Sequence, residues 1–332
     1  MVQIGEGTGY GKVILFNEHF VVHGVPGIVS AIDSIAYAEA RKTGEGIKIR
    51  DEREGASGYT EKKKIQQEDS IDRMLKAMGL DEENVSLEIL LGGNLPGFSG
   101  IGASAASSVA IARAIAEELE LGLHDREIND IAYEGEKAYA GTPSGIDNTA
   151  ATYGGLLWFR RALPHGSNTI ERLRIREPVE IVIGNTGIVA DTKAMVTGVT
   201  ARMGKDPGKY GQLCKQAEEL ANSARKALKD FDLRKVGELM NENHLQLKAI
   251  EVSCKELDHL VSLARDAGAF GAKLTGGGGG GCMVALTPGR KLQEEVASAI
   301  ENDGFKVLRT RIGHANGVET RDLSTGRGRI GV

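Results

Sequence analysis

Cysteine, proline, aromatic residues and long apolar runs are all scarce in this chain, and each scarcity excludes a class of protein. The three cysteines, Cys214, Cys254 and Cys282, are odd in number and far apart. They supply neither a disulfide framework nor the paired spacing of a structural zinc site. No apolar run approaches the ~18 residues of a membrane-spanning helix, and the N-terminus has no basic segment leading into an apolar one. The net charge of −5, with 41 basic against 46 acidic residues, leaves no electrostatic footprint for nucleic acid. Basic clusters such as Lys62-Lys63-Lys64 sit among acids and read as solvated surface. These absences predict a soluble, cytoplasmic protein with neither nucleic acid nor a membrane as its partner.

Glycine is what the chain has in excess: 45 residues against only 7 prolines, about twice the usual ~7%. Much of it lies in short segments flanked by apolar runs, where glycine permits close backbone approach, and a phosphorylated ligand is the usual reason. With 332 residues, 41% hydrophobic and 26% charged, the chain can bury a real core as two lobes or as one large α/β body.

Strand-like apolar segments open the chain at 12–16, 20–24 and 28–32, interrupted by Asn17-Glu18-His19. Residues 42–70 are polar and charged and are expected to include an exposed loop. Residues 85–91 read as a strand running into the turn Gly92-Gly93-Asn94-Leu95-Pro96-Gly97. The alanine-rich stretch 103–121 is the best helix, and its acids Glu117, Glu118 and Glu120 lie at the wrong end for the helix dipole, so solubility is their expected purpose. A second helix spans 125–140 and stops at Gly141-Thr142-Pro143. Residues 181–183 form a buried strand, 210–265 are mostly helical, 269–286 is a glycine-rich loop between apolar ends, and 305–307 is a late strand. Beyond Gly313 a loosely held tail is expected.

Four segments could carry chemistry. The loop Gly97-Phe98-Ser99-Gly100-Ile101-Gly102-Ala103-Ser104-Ala105-Ala106 leads straight into a helix, which aims backbone N–H groups and the positive end of a helix dipole at one point. Gly100 to Ala105 also satisfies a relaxed dinucleotide fingerprint, but no second strand ending in an acid follows within about 20 residues. An NTPase phosphate loop is absent, since Glu6 and Val13 stand where glycine and Ser/Thr are required around Gly11-Lys12. The second segment is Gly11-Lys12 with Asn17-Glu18-His19; taken alone, its lysine reads as a surface charge. The third pairs Glu136 with Gly141-Thr142-Pro143-Ser144-Gly145-Ile146-Asp147-Asn148. Eleven positions separate its two carboxylates, so one could hold a metal while the other meets a hydroxyl. The fourth is Lys273-Leu274-Thr275 followed by six glycines and Cys282; six glycines between apolar ends cost conformational entropy that a loop without function would avoid.

Taken together and in this order, the four segments resemble the GHMP kinase superfamily, most closely its mevalonate kinase branch. Gly11 to Gly24 is similar to that family's opening motif, Pro96 with Gly100 to Ala106 to its phosphate loop, 141–148 to its acceptor segment and 273–282 to its closing glycine loop. Asp191-Thr192-Lys193 and Asn243-His244 also fall at related positions. The resemblance implies an α/β (α+β) fold of two lobes, 1–175 like ribosomal protein S5 and 176–313 ferredoxin-like, with 314–332 as a tail. It implies ATP and Mg²⁺ as cofactors and transfer of the γ-phosphate to mevalonate. Lys12 and Asp147 would be catalytic. Pro96, Gly100, Ile101, Gly102, Ala103, Ser104, Ala105, Gly277 and Gly278 would bind the ATP phosphates. Glu18, His19, Ser144 and Thr192 would bind the acceptor, and Ser104 and Glu136 the metal; a homodimer is compatible with it. The chain departs from the pattern at Tyr10, Asn17, Ala103, Gly277 and Glu251, and Asn17 and Glu251 leave the acceptor open. Phosphomevalonate, homoserine or a sugar are alternative acceptors, and a Rossmann-type NAD-dependent oxidoreductase is the competing reading of another class.

Overall fold

The computed structural model describes residues 4–53, 61–81, 85–164, 166–189 and 191–313. Within them, β1 (Gly5–Phe16) and the 16-residue β2 (Gly27–Lys42) form an antiparallel pair. The other edge of β2 is shared by β4 (Leu87–Gly93) and β5 (Leu156–Arg160). Adding β3 (Ile47–Asp51) and β6 (Thr169–Leu173) completes a six-stranded sheet in which β3–β4 alone is parallel. A doubly wound dinucleotide fold needs a mostly parallel sheet, so the Rossmann reading fails on this topology.

The second sheet comprises β7 (Val179–Asn185), β8 (Gly271–Thr275), β9 (Cys282–Leu286) and β10 (Lys306–Ile312), in the order β10-β7-β9-β8. That order, with hairpin β8–β9 at one edge and β7 and β10 side by side at the other, is ferredoxin-like. Val182, Met283 and Ala285 point to α8 (Lys255–Asp266) and α9 (Arg290–Asn302), while Ile181, Ile183 and Val284 point to the opposite core with α6 (Pro207–Lys229) and α7 (Leu233–Ala249). A sheet covered on both faces uses uninterrupted apolar strands, which is why 181–183 and 282–286 carry no polar alternation.

Helix α2 (Ala103–Glu118) lies directly on β1. A Cβ added to Gly5, Gly7 or Gly9 would fall 2.2, 2.1 and 2.1 Å from the carbonyl oxygens of Ala114, Ala110 and Ala106. Two strand residues advance ~6.6 Å and four helix residues ~6 Å, so glycines two apart stay in step with alanines four apart. Backbone meets backbone along this seam.

Several expectations need correction. The polar stretch 42–70, for which only an exposed loop was expected, also contains β3 and much of α1 (Glu61–Ala77). Residues 20–23 form a single 3-10 turn, Phe20–His23, rather than a strand. The acids closing α2 are not there for solubility: Glu117 accepts from Glu6 N at 2.6 Å, and buried Glu118 accepts from Gly5 N at 3.2 Å and Lys42 N at 2.8 Å. The expected tail, 314–332, lies outside the described residues.

Candidate active site

The three helices that frame the site start or stop where glycine breaks the chain. Gly102, at φ 77°, precedes α2 and leaves its first N–H groups free at Ser104. Helix α3 (Asp125–Ala140) ends at Gly141 with Glu136 buried in its last turns. Gly145, at φ 89°, then starts α4 (Ile146–Tyr153), placing Asp147 in the first turn, where the helix dipole favours a carboxylate.

These ends meet around a cavity of about 550 Å³, within the ~300–1,000 Å³ of small-molecule sites. Its lining includes Lys12, Glu18, His19, Gly100, Gly102, Ala103, Ser104, Glu136, Ser144, Asp147, Thr192 and Gly277. Pro96, Ile101, Ala105 and Gly278 stand behind it. Ile101 and Ala105 are core residues, and the Ile101 carbonyl accepts from Lys12 N at 2.9 Å. The Pro96 carbonyl closes the turn by accepting from Phe98 N, and Gly278 backs onto Val252, whose carbonyl a Cβ would meet at 2.1 Å. Phe98, Ser99, Lys193, Val196 and Thr197 also line the cavity; Phe98 and Ser99 belong to the 97–106 loop and Lys193 to the 191–193 segment, whereas Val196 and Thr197 fall in no motif.

Lys12 is 2% exposed, not a surface charge. Its Nζ lies 3.0 Å from Asp147 Oδ1 and donates to the Gly100 carbonyl at 3.2 Å. One cation thus ties the 97–102 loop to the carboxylate at the start of α4. Burial, and next the Asp147 charge, push the Glu136 carboxyl up to about 8 against a Ser104 hydrogen bond and the Lys12 charge. Glu136 Oε1 is buried with no protein partner. An orphaned carboxylate oxygen beside a serine hydroxyl suits a hard divalent cation, which prefers oxygen donors. Among the described residues, no group of three or more His, Cys, Asp or Glu forms a metal centre of its own, so such a cation would need ligands from a phosphate or water.

The glycine loop between β8 and β9 interlocks with the 97–102 loop. A Cβ at Gly276 would sit 2.6 Å from Gly100 Cα, and one at Gly281 would sit 2.9 Å from the Ser99 carbonyl oxygen. Side chains are therefore excluded where the two loops touch. His19, from the other wall of the cavity, contacts this loop: its ring Nε2 lies 2.8 Å from the Gly277 carbonyl. Burial pushes the imidazole down to about 4, so the ring is neutral at pH 7. Facing a carbonyl, Nε2 must carry the proton, and buried, unpartnered Nδ1 is left as an acceptor. Thr192, capped into α5 (Thr192–Lys205) by Asp191, packs on Gly277; a Cβ there would fall 2.5 Å from Thr192 Oγ1.

Both departures that bore on the acceptor have backbone causes. Asn17 and Glu251 have φ of 73° and 62°, conformations that glycine and asparagine enter most easily. Asn17 is fully buried outside the cavity lining. Its Nδ2 donates to Pro26 O at 2.8 Å and Ala217 O at 2.9 Å, and its Oδ1 accepts from Asn243 at 3.0 Å. Glu251 follows the end of α7, with Arg202 3.6 Å away. Asn17→Gly keeps the backbone geometry but takes a partner from three buried polar groups, of which Asn243 Nδ2 keeps Gln246 Oε1 at 3.3 Å. It is expected to lose about 2–4 kcal/mol in urea unfolding while kcat stays at the parental value.

Family models match over both halves: GHMP kinases N terminal domain at residues 67–155 and GHMP kinases C terminal at 224–306. The mevalonate kinase of Pyrococcus horikoshii is 36% identical, covering 94% of this chain and 96% of its own length. A crystal structure of L. major mevalonate kinase in complex with R-mevalonate superposes with a TM-score of 0.86 at 36% identity, over 96% of this chain and all of that one. A Streptococcus pneumoniae phosphomevalonate kinase shares the fold, with a TM-score of 0.75 at 16% identity over 92% of this chain and 99% of that one.

Proposed function

Because the chain belongs to the GHMP kinase family, we propose that it transfers the γ-phosphate of ATP to the C5 hydroxyl of (R)-mevalonate, a step of isoprenoid synthesis. The observation that carries this is the Lys12–Asp147 contact at 3.0 Å, placed between the dipole end of α2 and a wall built from Glu18, His19 and Thr192. Phosphoryl transfer needs positioning and charge neutralisation more than covalent help. The backbone of Gly100 and of Gly102 to Ser104 at the start of α2, with Gly277 from the glycine loop, holds the phosphates, and Ile101, Ala105 and Gly278 support that cradle from behind. Asp147 accepts the hydroxyl proton as the new O–P bond forms and the bond to the β-phosphate oxygen breaks, releasing ADP. Lys12 neutralises charge at the acceptor oxygen. Glu18, neutral His19 and Ser144 orient the acceptor.

Mg²⁺ belongs to this proposal, with Ser104 and Glu136 as its protein ligands; when bound it neutralises phosphate charge. Glu136→Gln is expected to raise the Mg²⁺ concentration for half-maximal rate by about tenfold or more, since a neutral amide is the weaker ligand for a hard cation. A magnesium titration of initial rates with an unchanged midpoint would remove Glu136 from the set. The proposal also takes 175/176 as the lobe boundary, a cytoplasmic setting and a homodimer, the last checked by sedimentation.

An acceptor screen at fixed ATP and Mg²⁺, with mevalonate, phosphomevalonate, homoserine and galactose, tests the function. A phosphorylated acceptor needs additional cations in the pocket. Among the described residues, Lys193 is the one exposed lysine or arginine lining it, which favours the unphosphorylated acid. Turnover of another acceptor in preference to mevalonate would contradict the reading.

A further inference from the structure

Beneath the acceptor wall lies an ion pair that the mechanism above does not use. Lys273, in β8, is 0% exposed, and its Nζ donates to Glu18 Oε1 and, at 2.7 Å, to the Leu274 carbonyl. Glu18 is 1% exposed at its side chain and lines the cavity. Its second oxygen, Oε2, is buried with no protein partner. One oxygen of this carboxylate is therefore held from behind, and the other is left for whatever fills the site.

We propose that Lys273 is a positioning residue for the acceptor: it holds Glu18 ionised and fixed so that Oε2 accepts a hydrogen bond from an acceptor hydroxyl. This rests on the proposed function, in which Glu18 faces the acceptor. Two alternating pairs share the site, Lys273 with Glu18 and Lys12 with Asp147, and the charge of Lys12 also reaches Glu18 and Lys273. His244, on α7, accepts from Leu274 N at 3.4 Å, feels the Lys273 charge and is itself neutral, pushed by burial down to about 4. Burial drives the Glu18 carboxyl up and the Lys273 ammonium down, and each opposes the shift of the other. Without Lys273, Glu18 keeps only the more distant Lys12 as a counter-charge and takes up a proton at higher pH than in the parent. A protonated Glu18 is free to rotate and no longer offers an anionic acceptor.

The test compares Lys273→Met with the parent and with the double variant Glu18→Gln/Lys273→Met, which removes both charges and guards against a folding defect in the single variant. In Lys273→Met the KM for mevalonate is expected to rise at least about tenfold, with the KM for ATP unchanged. Its kcat/KM for mevalonate should recover as pH rises, because the unpaired Glu18 ionises only at higher pH. Infrared difference spectra at neutral pH should show a protonated carboxyl in Lys273→Met that is absent from both the parent and the double variant. A purely structural lysine predicts equal loss toward both substrates and no new carboxyl band, and that outcome would overturn the proposal. The infrared comparison needs no acceptor, so it reads the Lys273–Glu18 relation even if the parent proves inactive on mevalonate, which would count against the proposed function instead. If Lys273→Met does not fold, a folded double variant with a pH-independent KM for mevalonate supports the proposal, and one retaining the parental KM contradicts it.

Discussion

Asp147→Asn is expected to lower kcat by about 10³-fold, inside the ~10²–10⁴ contribution of a positioned proton acceptor, while the KM for ATP stays within about twofold. The amide keeps the shape of the carboxylate but cannot take the hydroxyl proton. It also leaves Lys12, 2% exposed, without the partner that now lies 3.0 Å from its Nζ. The Gly100 carbonyl at 3.2 Å still holds the lysine near the phosphate loop, which is why nucleotide binding should survive. Because Asp147 is partly solvent-accessible at 37%, loss of fold does not confuse the reading, and circular dichroism with a parental melting temperature would establish that. Turnover near the parental rate would remove Asp147 from the mechanism and leave Lys12 as the one charged group at the acceptor oxygen.

Gly7→Ala should be the most damaging single methyl in the N-terminal half. The new Cβ would lie 2.1 Å from the Ala110 carbonyl oxygen and 2.7 Å from Ala114 N, both backbone atoms that move only if α2 lifts from β1. Overpacking of this kind costs about 1–3 kcal/mol or more. At about 3 kcal/mol a domain of this size loses roughly 6–12 °C in melting temperature. The effect reaches function as well, because lifting α2 displaces Ser104 and the N–H groups that precede it, so the KM for ATP should rise with the loss of stability. Gly44→Ala is the control: no atom lies within 4 Å of a Cβ there, and calorimetry should find it near neutral. Equal melting temperatures for the two variants would mean that the seam is looser than these contacts imply.

The glycine excess illustrates what sequence reasoning saw and what it missed. Clusters at 97–102 and 276–281 do mark the place where two backbones close on a ligand site. Gly5, Gly7 and Gly9 serve helix packing, a use that became visible only with their partners Ala106, Ala110 and Ala114 about a hundred residues away. Distance along the chain hid other features too. Lys12 looked like a surface charge because burial by Gly102 and the Asp147 pairing are contacts between remote segments. Lys273 was read as part of a motif, but its partner Glu18 lies 255 positions away. Helix α1 escaped notice for a local reason: pairs such as Asp69–Arg73 and Asp72–Lys76 give it a charged face, and only Ile71, Met74 and Leu75 supply its fully buried stripe. By contrast α3 is legible at 125–140, since its end coincides with Gly141 and Pro143, local signals that need no partner.

Incubation with ATP, Mg²⁺ and (R)-mevalonate, followed by phosphorus NMR, tests the central claim most directly. The proposed chemistry predicts ADP and a phosphomonoester at C5 of mevalonate in equal amounts, both dependent on mevalonate. ADP release that ignores mevalonate, or no phosphomonoester at C5, would contradict it.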